Sequence, residues 1–206
     1  MDLFINTYLR MFVLLAPFFA VSMFLKMSEG MKQSERRRAA CRCGIAVLVA
    51  IFICYFFGRP LFSIMGITLA SFQIGAGTTL FVSSMLMILS NGKKEAVQEK
   101  TPKHEDDFAV VPLALPIIVG PGTIGALMVW GTEQSGWVDR STTCIAMLLA
   151  ATTIFIFLLL AERIQRLIGQ KLLAIMTKVT ALILTAIAAQ IIFTGVRSML
   201  ADGAVV

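Results

Sequence analysis

Prolines and glycines stand where a membrane-crossing helix should run unbroken. They are densest in Pro112-Leu113-Ala114-Leu115-Pro116-Ile117-Ile118-Val119-Gly120-Pro121-Gly122-Thr123-Ile124. That stretch lies inside an apolar run over 108–130, long enough to cross a bilayer. Lipid supplies no water to satisfy freed backbone groups, so a broken helix persists there only against protein or a wet cavity. The interruption therefore points to a polar site deep inside a membrane protein.

The rest of the chain supports a membrane setting. Hydrophobic residues make up 58% and charged residues only 15% of 206 residues, too few charges to cover a soluble domain of this size. Six apolar runs, at 8–25, 40–57, 69–89, 108–130, 142–161 and 179–200, each meet the roughly 17–25 residues of one crossing. The sequence thus predicts an all-α polytopic membrane protein of six transmembrane helices. The first run is expected to be retained, because Asp2 precedes Arg10 and no small-x-small cleavage site follows.

Charge sets the orientation. Lys26, Lys32, Arg36, Arg37, Arg38 and Arg42 follow the first run, Lys93, Lys94, Lys100 and Lys103 the third, and Arg163, Arg166, Lys171 and Lys178 the fifth. Only Arg10, Arg59, Arg140 and Arg197 fall on the other side. Short loops rich in Lys and Arg stay cytoplasmic, which predicts both termini outside, periplasmic in a bacterium. The net charge of +6 is spread between apolar runs and forms no separate basic domain, so nucleic acid is not an expected partner. Arg36, Arg37 and Arg38 read as topology signals that also meet the head groups of membrane lipids.

The chain divides into a first three-helix repeat at 1–91, a charged cytoplasmic linker at 92–107, and a second three-helix repeat at 108–206. Each half has a proline-interrupted span, a plain span, an amphipathic link and a small-residue-rich span. Pro17 occupies the place of Pro116, and Arg59 to Gly66 corresponds to Glu162 to Gly169. Small residues at Ser71, Gly75, Thr79 and Ser83, and at Thr177, Ala181, Thr185 and Ala189, suggest faces for close helix contact. Three spans per half oblige any duplication to invert.

Chemistry-bearing constellations are sparse. No His or Asp lies in a core span, no CxxC pair occurs, and no GxxxxGK[ST] loop is present. An enzyme, a metal site, a cofactor and ATP-driven pumping are therefore not expected. The remaining classes are a gradient-driven carrier and a channel or non-transporting membrane protein. For a carrier, Gly120-Pro121-Gly122 ends one half-helix and starts another, whose first amides with the Thr123 hydroxyl suit a carboxylate. The break at Ala16-Pro17 is placed opposite, and Gln73, Thr78, Ser83, Thr185 and Gln190 are candidates to complete a midplane pocket. The candidate substrate-binding residues are accordingly Pro17, Gln73, Gly120, Pro121, Gly122, Thr123 and Gln190. A small neutral solute fits a site without a deep acid; sodium or proton coupling, and the oligomeric state, are left open.

The run Val110-Val111-Pro112-Leu113-Ala114-Leu115-Pro116 closing with Gly120-Pro121-Gly122-Thr123-Ile124 resembles the signature of the MarC family of bacterial integral membrane proteins. Ser34-Glu35-Arg36-Arg37-Arg38 resembles the family's basic first loop, and 62–77 and 191–195 resemble two further segments. The chain departs at Met23, where the family has a second proline, and at Gln73, where it has an arginine. The resemblance implies a six-span protein of the bacterial inner membrane, in a family that includes small neutral amino acid transporters.

Overall fold

The structure is a computed structural model that describes residues 2–89, 108–133 and 136–203. The linker expected at 92–107 lies outside them. The described residues form helices α1 (Asp2–Leu14), α2 (Pro17–Met27), α3 (Gln33–Met65), α4 (Leu69–Leu89), an irregular prolyl segment (Ala109–Ile118), α5 (Pro121–Glu133), α6 (Trp137–Leu159) and α7 (Ala161–Gly203), with no strand among them. Among the described residues, five helical stretches are long and apolar enough to cross a membrane: Leu3–Met27, Gln33–Phe57, Leu69–Leu89, Trp137–Leu159 and Ala161–Ala201. The fourth run is broken, as expected, into two short pieces, the prolyl segment and α5, separated at Val119 and Gly120.

Backbone chemistry explains both interruptions. Ala16 takes left-handed angles (φ 44°, ψ 63°), and Pro17 starts α2 at the first helical position, where its missing N–H costs nothing. The Ala16 amide closes α1 on the Val13 carbonyl at 2.9 Å, and the Ala16 carbonyl accepts from Ala20 at 2.9 Å. In the second interruption, Val111 (φ −128°, ψ 121°) and Leu115 (φ −129°, ψ 123°) are extended, as residues preceding proline prefer. The chain compensates with wide turns, the amides of Leu113 and Val119 reaching five residues back to Phe108 and Ala114 at 3.1 and 2.9 Å.

Packing pairs the helices across the chain. α1 packs on α6, α3 on α5 and α6, and α4 on α5 and α7. A continuous core joins Met11, Leu15, Phe24, Ile51, Leu127 and Met147, all fully or almost fully buried. The α4–α7 contact is close because its glycines are flush with the neighbour. A Cβ on Gly77 would stand 2.7 Å from Ile192 Cγ1, and one on Gly195 would stand 2.8 Å from the Ala70 carbonyl oxygen. Ser84 and Thr185 join the two helices by a hydroxyl–hydroxyl hydrogen bond of 2.8 Å.

The small-residue face expected on α4 needs correcting. Gly75, Thr79 and Ser83 are exposed, whereas Ala70, Gln73, Gly77 and Ser84 are buried. A strict spacing of four advances about 400° and drifts off a helix face by about 40° each step. The true face mixes steps of three, four and seven. The corresponding set on α7 fares better, with Ala181 fully buried and Thr185 bonded to Ser84.

Candidate functional site

The two breaks touch. The Thr123 hydroxyl, in the first turn of α5 and buried, donates to the Leu14 carbonyl at the end of α1 over 3.4 Å. Leu14 lies in the last turn of its helix, where carbonyls lack an intrahelical partner, so one break satisfies the other. Pro17 is buried at the start of α2. Gly122 is pressed on α4, where a Cβ would stand 2.5 Å from Leu80 Cβ and 2.7 Å from Leu80 Cα. The Ile124 amide is already bonded to the Gly120 carbonyl at 2.9 Å, which leaves the amides of Gly122 and Thr123 as the ones a helix start could offer.

The two glutamines come together elsewhere. Gln73 of α4 and Gln190 of α7 line one cavity of about 210 Å³ with Arg10, Trp130, Thr194 and Val129. Among the described residues, no acidic side chain lines it. Arg10 is four residues before Leu14, about 6 Å along α1, and Trp130 is seven after Thr123, about 10 Å along α5. The cavity therefore lies one to two turns from the breaks, toward the end of the molecule opposite the arginines of α3. Thr78 and Ser83 are exposed on another face of α4, and Thr78 donates to the Ile74 carbonyl of its own helix.

Arg10 and Thr194 were not among the residues the sequence singled out. A span begun at residue 8 places Arg10 near an end, free to reach the interface. The apolar stretch begins at Leu3, which puts Arg10 within it. An ionisable side chain inside a span is costly and marks a functional position by default, and that was the available signal.

The basic end is organised differently. Arg36, early in α3, forms an ion pair with Glu162 at the start of α7, and its other terminal nitrogen donates to the Ser28 carbonyl at 2.9 Å. Glu162 thus finds its partner across the fold. Arg36 and Glu162 line a separate hollow of about 320 Å³ with Arg37 and Arg163.

Broken helices meeting inside a helical bundle, beside a polar cavity, define a polytopic integral membrane protein. The chain belongs to the MarC family of integral membrane proteins, matched over residues 1–200. It is 35% identical over 206 residues to the UPF0056 membrane protein MJ1677 of Methanocaldococcus jannaschii, covering 97% of this chain and 100% of that one. It is 27% identical over 196 residues to the UPF0056 membrane protein YhcE of Escherichia coli, covering 93% and 91%. The UPF0056 membrane protein YvbG of Bacillus subtilis is 26% identical over 201 residues, with coverage of 95% and 94%. No solved structure matches the chain.

Proposed function

We propose that this protein is a secondary transporter of the bacterial inner membrane, carrying small neutral amino acids or similar small solutes. Its six crossings would form two inverted three-helix repeats, with both termini periplasmic. The observation that carries the reading is the outer cavity, where Arg10, Gln73 and Gln190 converge beside two broken helices. A guanidinium takes a carboxylate through two parallel hydrogen bonds. Carboxamides both donate and accept, and so suit the ammonium and the remaining carboxylate lone pairs. A volume of about 210 Å³ is below the roughly 300–1,000 Å³ typical of drug-sized ligands, which favours a small solute.

The repeat reading rests on pairing. α3 packs on α6, α4 packs on α7, and the broken elements meet at Thr123 and Leu14, so each span touches its counterpart. The two links also end alike, at Gly66 (φ +64°) and Gly169 (φ +79°). One observation favours a second reading, a non-transporting membrane protein or channel. Gly122 and Thr123 are already engaged in packing and bonding, as a purely structural junction requires.

Purified protein in liposomes decides between them. Under an imposed sodium or proton gradient, labelled glycine, alanine or serine is expected to accumulate above empty vesicles. A hydrogen bond to a charged group contributes about 1.5–3 kcal/mol, so Arg10→Gln should raise the apparent KM about 10- to 150-fold. Folded protein that takes up no neutral amino acid under either gradient would support the second reading. A reporter fused after Val206 should signal from outside the cytoplasm; cytoplasmic signal would overturn the proposed orientation.

A further inference from the structure

A different face of α3 joins a basic hollow to an apolar groove. Arg38, Arg42, Ile45, Val49 and Ile53 recur every three to four residues and so form one stripe along the helix. Ser34, Arg37, Arg38 and Arg42 line an open hollow at its basic end. Directly below, Ile45, Val49 and Ile53 face Val110 and Leu115 of the prolyl segment across an apolar groove of about 420 Å³. Arg42 belongs to both parts, which makes them continuous. Among the described residues, no acidic side chain lines either part.

Dimensions and charge identify what fits. Eleven residues separate Arg42 from Ile53, about 17 Å at 1.5 Å per residue. Half of a hydrocarbon core of about 30 Å is about 15 Å. The groove is therefore as deep as one leaflet, with its cationic mouth at the level of the head groups. Ile45, Val49 and Ile53 are 63%, 49% and 52% exposed, so the α3 wall is available to a chain lying in it. The second wall exists because Pro112 and Pro116 spoil regular helix in the prolyl segment: Leu115, the residue before Pro116, is extended.

We propose that this face holds one anionic diacyl phospholipid of the leaflet on the basic side. Its phosphate sits between Arg37, Arg38 and Arg42, and one acyl chain lies in the groove against Val110 and Leu115. Three guanidiniums around a phosphate give charge-assisted hydrogen bonds that a zwitterionic head group, carrying its own cation, receives less well.

Native mass spectrometry of the delipidated full-length protein tests this, with phosphatidylglycerol and phosphatidylcholine of equal chain length as probes. One phosphatidylglycerol should bind saturably, at least tenfold tighter than phosphatidylcholine. The combined Arg37→Gln, Arg38→Gln and Arg42→Gln variant should lose that preference. Ile45→Trp with Val49→Trp, which fills the groove and leaves the charges, should weaken phosphatidylglycerol at least tenfold. Equal binding of the two lipids, or a preference that survives the arginine changes, would overturn the proposal. A glycerophosphate head group alone, tested on the unaltered protein, should bind at least tenfold more weakly than the whole lipid. Equal binding would reduce the site to surface charge and overturn the groove.

Discussion

The first interruption turns on one residue, and the second occupies ten. Ala16 alone turns left-handed, with α1 hydrogen-bonded up to it and α2 starting directly after it. The second begins at Val111, returns to extended backbone at Leu115, and restarts as α5 only at Pro121. A single residue in a disfavoured region is strained but leaves its neighbours intact, costing about 1–2 kcal/mol for an L-residue. Two prolines four residues apart remove two donors and redirect two preceding residues, so the disturbance spreads. The difference teaches where each half is vulnerable: the first break is local and replaceable, while the second depends on its surroundings.

Substitutions at four positions break or sharpen that contrast, in descending order of effect. Gly122→Leu should be the most damaging, because even a Cβ there would collide with the backbone and side chain of Leu80. Overpacking costs about 1–3 kcal/mol or more, and loss of monodisperse protein on size exclusion would show it. Gly122→Ala shares the collision, so it tests packing before it tests a binding site. Pro116→Ala should come next. It releases Leu115 from its extended angles, and a shorter, more regular segment should change protease accessibility around 109–120 while the protein stays folded. Thr123→Val leaves the Leu14 carbonyl without its hydroxyl donor. A net loss of about 1 kcal/mol is expected, read as a fall of a few degrees in melting temperature. Ala16→Gly should be the mildest and opposite in sign. Glycine accepts φ 44° without a Cβ penalty, and the melting temperature should hold or rise slightly. A large loss at Ala16 would show that the first break is as dependent on its surroundings as the second.

How much of this was legible follows from what kind of physics fixes each feature. Both breaks were readable, because proline and glycine act on their own backbone and need no distant partner. Gln73 and Gln190 were readable as polar residues on apolar helices, and they share a cavity. Arg10 was readable only as a charge inside an apolar run; that it joins them depends on which neighbours α4 and α7 present. The contact face of α4 was misjudged by one residue, a rotational error that only the partner helix corrects. The pairing of Glu162 with Arg36 rather than with adjacent Arg163 is likewise a tertiary fact.

The Arg36 side chain has one further consequence. Holding Glu162 with one nitrogen and the Ser28 carbonyl with another, it fastens the start of α3 to the end of α2 and the start of α7. Three helix ends on that side, beside a hollow of about 320 Å³, thus depend on one side chain. Removing that one guanidinium would uncouple the starts of α3 and α7 from each other and from the end of α2 in a single step.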